Sequence, residues 1–163
     1  MRDFLSDHHV VNGLYPVADA FATAGTTDYV SLANYRRATW FIHTGVATSG
    51  TANGAITVLA ASDAAATGAG AVAFTHRKCL SSPTVDTWSD PVVAPTTGLV
   101  MTVGSNIIYM IEVQASDIEG ADPGNPWVAL KVTEDTNDPV VAASLCFLSD
   151  PRYPVSTPVS AIA

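Results

Sequence analysis

Apolar and polar positions alternate over residues 37–46. One face of this stretch would carry Ala38, Trp40, Ile42, Thr44 and Val46, and the other Thr39, Phe41, His43 and Gly45. A period of two, with β-branched and aromatic residues, predicts a β-strand. Because both faces carry bulky side chains, we expect the strand to lie inside a sheet that is covered on its main face, with Trp40 at the centre of the core.

Two hairpins are predicted from neighbouring strands. Residues 55–61 predict an apolar strand, and the small, polar, glycine-containing residues 47–54 before it are typical of a hairpin loop. The second hairpin would join residues 99–103 to residues 106–115 about Gly104 and Ser105. On one face, its second strand is predicted to carry Ile107, Tyr109, Ile111, Val113 and Ala115.

The other predicted strands are shorter or less regular. They cover residues 29–32, 71–80, 127–133 and 140–148, and the last is apolar enough for us to expect burial on both faces. Residues 81–97 hold three prolines, which exclude an internal strand and predict an extended excursion anchored by Trp88. Residues 117–126 predict an acidic loop. Roughly eight to ten short strands in one chain predict an all-β fold, an antiparallel β-sandwich that is jelly-roll-like.

The two ends are predicted to be extended segments outside this sandwich. We expect an N-terminal arm over residues 1–9, a β-sandwich domain over residues 10–149 and an extended C-terminal tail over residues 150–163. The tail contains three prolines, which favour an extended chain over a helix. An ordered tail needs a surface to lie on, and we expect residues 153–162 to cross to a neighbouring subunit.

Length and charge narrow the class of protein. A chain of 163 residues is most simply one domain with a sizeable core. Seven lysines and arginines against fifteen aspartates and glutamates give a net charge of −8, which disfavours nucleic acid as a partner because phosphate binding needs cations. No signal peptide or bilayer-length apolar stretch is evident, so no membrane partner is expected. Cys79 and Cys146 lie in apolar runs and are expected to be buried free thiols.

No catalytic residue, cofactor or metal site is predicted. His8 and His9 are adjacent, and adjacent residues of a strand face opposite ways, so both cannot bind one ion without a turn. The acidic residues within 117–122 and 134–138 lack the glycine and terminal glutamate of the calcium-binding loop, and we expect them to be solvated. The motifs of serine hydrolases, zinc proteases, phosphate loops and dinucleotide-binding folds are missing, so we expect a protein that is not an enzyme.

The candidate partner contacts are charged and aromatic residues near the chain ends and the central strand. Arg36 and Arg37 lie at the start of that strand, where they could form salt bridges with an acidic neighbouring subunit. The predicted arm and tail would add contacts of their own. The full set of predicted partner contacts is Arg2, His8, His9, Arg36, Arg37, Arg152 and Tyr153.

Four stretches together resemble a known family. They are the N-terminal strand with Asn12 and Gly13, Trp40-Phe-Ile-His-Thr-Gly45, Ala55-Ile-Thr-Val-Leu-Ala-Ala-Ser-Asp63 and Leu148-Ser-Asp-Pro-Arg-Tyr-Pro154. The combination resembles the capsid decoration, or cement, proteins of tailed bacteriophages. The resemblance implies a β-sandwich on the outside of the icosahedral shell, often a trimer at local three-fold positions, that ties neighbouring major capsid subunits together. It implies no catalytic residues.

The resemblance also implies a virion protein that assembles in the cytoplasm of a bacterial host, which agrees with the sparse cysteines. Three alternatives stay open. A carbohydrate-binding or adhesin-like sandwich could stack sugars on Trp88 or Trp127. Another virion protein, of the tail or neck, is a second alternative. An enzyme with an unrecognised site is a third, and it would need a carboxylate pair in a deep cleft.

Overall fold

The fold is described by a computed structural model over residues 4–22, 24–47, 54–80, 86–101, 106–121, 124–134, 139–153 and 160–162. Within these ranges the chain forms eleven strands and two short helices. The strands are β1 (His8–Asn12), β2 (Val30–Ser31), β3 (Tyr35–Ala47), β4 (Gly54–Ala61), β5 (Gly70–Val72), β6 (Phe74–Leu80), β7 (Val92–Ala94), β8 (Leu99–Val100), β9 (Ile107–Gln114), β10 (Trp127–Glu134) and β11 (Val140–Pro151). The helices are α1 (Phe4–Asp7) and α2 (Ala115–Ala121).

The strands form two antiparallel sheets around one core. The six-stranded sheet has the order β1-β11-β3-β9-β6-β7, and the five-stranded sheet has the order β2-β10-β4-β5, with β8 also pairing with β4. One cluster of buried side chains takes Trp40 and Tyr109 from the first sheet, and Ile56 and Leu130 from the second. The predicted all-β antiparallel sandwich is confirmed, and the narrower jelly-roll assignment stays a prediction.

The central strand is where the sequence pattern predicts it. β3 lies between β11 and β9, and its inward residues Ala38, Trp40 and Ile42 have no solvent exposure. All five residues predicted to share a face are buried: Ile107, Tyr109, Ile111 and Val113 of β9, and Ala115, which begins α2. An apolar face at every second residue therefore identified two of the strands that contribute to the core from this sheet.

Both predicted hairpins are wrong. β3 and β4 lie in different sheets, and so do β8 and β9. A small, polar, glycine-containing linker indicates that the chain reverses, but it does not determine which sheet the next strand joins. The buried faces of β3 and β4 meet across the core instead of lying side by side. The intervening residues 48–53 and 102–105 lie outside the described residues.

Three further elements differ from the predictions. The strand predicted over residues 71–80 is divided at Ala73, because β5 joins the five-stranded sheet and β6 the six-stranded sheet. The predicted acidic loop begins inside helix α2, which Ile118 anchors in the core with 2% exposure. On β11, only alternate residues are buried, and Val141 and Leu145 are exposed on its outer face, so burial on both faces was wrong.

The ends of the chain are less extended than predicted. Phe4–Asp7 is helical, and His8 and His9 belong to β1, opposite Ser149 and Leu148 of β11. They are therefore part of the sheet rather than of a free arm. At the other end, Ala161 is buried and its carbonyl oxygen accepts a hydrogen bond from the amide of Ser31 at 3.0 Å. This part of the tail lies on its own subunit, whereas residues 154–159 lie outside the described residues.

Candidate protein-binding surface

The outer face of the six-stranded sheet, which is turned away from the core, is apolar at its centre. The strand register places Leu145 opposite Phe41, and Phe41 opposite Met110. Val10 and Leu145 are exposed on the same face of the neighbouring strands β1 and β11. Contiguous exposed apolar side chains of this kind mark interaction surfaces more often than scattered ones do.

Aromatic side chains organise this face. The rings of Phe41 and Phe147 meet edge to face with centroids 5.4 Å apart, and Phe4 of α1 contacts Phe147 at 6.0 Å. Trp88 packs edge to face on Phe41 at 6.4 Å. Each such pair contributes on the order of 0.5–1.5 kcal/mol beyond its buried area. The predicted anchoring role of Trp88 agrees with this contact and with its pairing opposite Cys79.

A groove of about 350 Å³, the face groove, lies between α1 and the centre of this face. Its apolar lining comes from four different elements, so that no single stretch of sequence contains it. The residues that line the face groove are Phe4, His8, Arg37, Thr39, Phe41, Met110, Glu112, Phe147 and Ser149.

A second groove of about 500 Å³, the end groove, lies where β1 and β3 begin and β9 and β11 end. It is lined by Asp7, His8, Arg36, Arg37, Gln114, Ser149, Asp150 and Pro151. Three predicted partner contacts, His8, Arg36 and Arg37, therefore share one groove. The two grooves adjoin, because His8, Arg37 and Ser149 line both.

Arg37 is engaged mainly with carboxylates of its own chain. One terminal nitrogen lies 3.4 Å from Asp150, and Nε lies 3.8 Å from Glu112, beyond hydrogen-bond distance. The Nε atom is buried without a hydrogen-bond partner, while the side chain as a whole is 40% exposed. Partly exposed ion pairs contribute about 0–1 kcal/mol each, and the two carboxylates already balance the charge of Arg37. Arg36 is exposed beside it.

His8 and His9 face opposite sides of β1, as the strand pattern predicts. His8 stacks on Phe4 with centroids 4.3 Å apart, and its Nδ1 lies 3.1 Å from the carbonyl oxygen of Phe4. His9 lies on the other side, 6.0 Å from the ring of Tyr35. Among the described residues, no group of three histidine, cysteine or carboxylate side chains is placed to hold a metal ion.

The other predicted contacts lie away from the grooves or outside the described residues. Arg152 pairs with Glu119 of α2 at 3.7 Å, beside a cavity of about 280 Å³. Tyr153 follows it and is 70% exposed. Arg2 lies outside the described residues, so its predicted contact stays a prediction.

The two cysteines and Trp127 contribute to the packing of the interior. Both Cys79 and Cys146 are buried and form no disulfide, as predicted. Burial raises the pKa of the Cys146 thiol, which keeps it protonated and unreactive. Trp127 packs against the cluster of Tyr29, Ala61 and Ala129. Because Trp88 and Trp127 are both packed against neighbours, the structure adds no support to the sugar-binding alternative, which stays a prediction.

The apolar part of this surface was not predicted from the sequence. Val93 of β7, and Val141 and Leu145 of β11, are exposed on the outer face. The alternation of β11 was visible in the sequence, but its outward residues are also apolar, so the strand was predicted to be buried on both faces.

The described residues contain no helix that is long and apolar enough to cross a membrane.

No protein-family model and no curated protein matches the sequence. The structure is similar to the crystal structure of the SPBc2 prophage-derived protein YomS, with a TM-score of 0.42 and 16% sequence identity. The match covers 86% of this chain and 93% of that protein. A likeness of this size assigns no function.

Proposed function

We propose that this protein is a structural, non-enzymatic component of a phage virion that decorates the outside of the head and stabilises contacts between major capsid subunits. The sequence resemblance to capsid decoration proteins supports the class. The end groove supports a particular contact surface, because His8 of β1 and Arg36 and Arg37 of β3 come together there. This groove is the proposed contact with the shell.

The end groove suits a charged protein surface. It offers arginine side chains beside the carboxylates of Asp7 and Asp150, so it can pair with groups of either sign. Exposed ion pairs are individually weak, at about 0–1 kcal/mol. Several copies joined in one oligomer, such as the predicted homotrimer at a local three-fold position, would engage several shell subunits at once. Weak contacts then act together through effective concentration.

Heads of the parent phage prepared without this protein test the proposal. Adding back the purified protein should raise the temperature at which the heads release DNA. Arg36→Glu should weaken binding to the heads by roughly tenfold, because it reverses an exposed charge in the end groove. Lys131→Glu, on the five-stranded sheet, is the matched control and should bind like the unaltered protein. Equal resistance of heads to heat and chelator with and without the protein would contradict the proposal.

A further inference from the structure

Strand β1 is an edge of the six-stranded sheet that lacks the usual protections against pairing. It pairs with β11 on one side, and among the described residues no strand pairs with its other side. Natural edge strands are usually very short, or hold proline or charged residues that discourage pairing. The five residues of β1 include no proline, lysine or carboxylate, and Val10 at its centre is 46% exposed. Helix α1 lies over the outer face, where Phe4 contacts Phe147, and leaves this edge open.

The other sheet edges are protected. β7 has three residues, and Pro91 and Pro95 bound it. β2 has two residues, and the amide of Ser31 is already bound by the carbonyl oxygen of Ala161 in the tail. β5 and β8, which share the remaining edge beside β4, have three and two residues. β1 is therefore the longest unprotected edge among the described strands.

The free backbone groups of β1 belong to every second residue. The amide of Gly13 donates to the carbonyl oxygen of Ser144 at 3.0 Å, so it points toward β11. In an antiparallel ladder, the backbone groups of successive residues point to opposite sides of the strand. The N–H and C=O groups of Val10, and of the residues two before and two after it, therefore point to the free edge.

We propose that β1 pairs antiparallel with β1 of a second copy of this chain, about a two-fold axis at Val10, so that the two six-stranded sheets become continuous. Val10 of each copy faces Val10 of the other, and the two residues exchange a pair of backbone hydrogen bonds. His8 of each copy faces Asn12 of the other in the same way. This register uses every outward backbone group of the strand, and it sets two exposed valine side chains together on the outer face.

The polar side chains fit the same register. The Nδ1 atom of His8 lies 3.1 Å from the carbonyl oxygen of Phe4, which can only accept a hydrogen bond. Nδ1 therefore carries the proton, and Nε2 of the neutral ring is an acceptor. Asn12 of the second copy, which is exposed, brings an amide donor opposite this ring.

Charge and symmetry favour a second copy as the occupant of this edge. A net charge of −8 opposes most contacts between two copies, but β1 itself carries no carboxylate. Because both copies use the same surface, the contact is isologous and closes at two copies. It leaves every other surface free, including the one that would hold the predicted trimer together. The inference does not depend on the proposed function.

Sedimentation velocity of the full chain over a range of concentrations tests the contact. The unaltered protein should associate reversibly. Val10→Lys and Val10→Glu should each weaken this association by at least about tenfold, because each sets two like charges directly opposite each other. Val10 is exposed, so circular dichroism should show the fold intact. Val141→Lys is the matched control and should associate like the unaltered protein, since Val141 is 47% exposed but lies on β11, inside the sheet.

Mixing the two variants tests the register. An equimolar mixture of the Val10→Lys and Val10→Glu chains brings opposite charges together at the two-fold axis, so it should associate at least about tenfold more tightly than either variant alone. A protein that is monomeric up to about 1 mM, a Val141→Lys control that weakens association as much as the Val10 variants do, or a mixture that associates no better than its components would overturn the proposal.

Discussion

Gly13 is required by the close approach of β11. A Cβ atom at this position would overlap the Ser144 hydroxyl and lie 2.9 Å from the carbonyl oxygen of Ser144. The same carbonyl accepts a hydrogen bond from the Gly13 amide, and the hydroxyl accepts one from the Leu14 amide at 2.7 Å. We expect Gly13→Ala to destabilise the protein by about 1–3 kcal/mol in urea unfolding, because the backbone of one strand must shift.

Gly120 of α2 provides the control for this substitution. Nothing lies within 4 Å of a Cβ atom built there. Alanine is also the better helix former, so Gly120→Ala should leave the stability unchanged or raise it by up to about 1 kcal/mol. If both alanine variants lost stability equally, the contact between Gly13 and Ser144 would not be the cause.

The pKa of His76 should make the free energy of unfolding depend on pH. Burial lowers the pKa of His76, a hydrogen bond with the Val92 backbone acts in the opposite direction, and the nearby Lys78 lowers the pKa further. The unfolded chain therefore binds a proton at higher pH than the native protein does. The stability of the native protein is therefore not reduced by His76 at high pH. It decreases as the pH falls below about 6.5, because the unfolded chain then binds a proton more readily than the native protein does.

Urea unfolding at about pH 7.5 and about pH 5 measures this effect. The loss of stability between the two should be smaller in His76→Gln than in the unaltered protein. An equal loss in both proteins would show that His76 does not contribute.

At the scale of the element, α2 depends on one side chain. Its seven residues are too few for a stable isolated helix, and Ile118 is its deeply buried anchor. We expect Ile118→Ala to lower the free energy of unfolding by about 2–5 kcal/mol. Glu119→Ala removes only the exposed pair with Arg152 and should cost about 0–1 kcal/mol. Similar losses in the two variants would contradict this view of the helix.

Strands were predictable from the sequence where one face is fully apolar, as in β3, β9 and β10. Their partners were not, because pairing depends on which buried faces meet across the core, and this is a relation between distant segments. Helix α2 was missed for a related reason. The acidic and glycine residues of 117–126 are typical of a loop, and only the burial of Ile118 against the sandwich makes the first part helical.

At the scale of the whole molecule, the charged part of the candidate surface was predictable and the apolar part was not. Arg36 and Arg37 stand out in a chain that has few cations, and their place beside the central strand was visible in the sequence. The face groove depends on the register of β1, β11, β3 and β9, which sets Phe147, Phe41 and Met110 close together. That register follows from the folded sheet, not from any local pattern.

The position of β11 has a consequence for biosynthesis. This strand is the last of the described strands, yet it lies between β1 and β3, which emerge from the ribosome much earlier. Until β11 arrives, β3 has one side unpaired, and the nascent chain exposes an apolar strand to its neighbours. We therefore expect the yield of soluble protein to depend on how quickly translation reaches residue 140, with slow translation favouring aggregates that form while the sheet is incomplete.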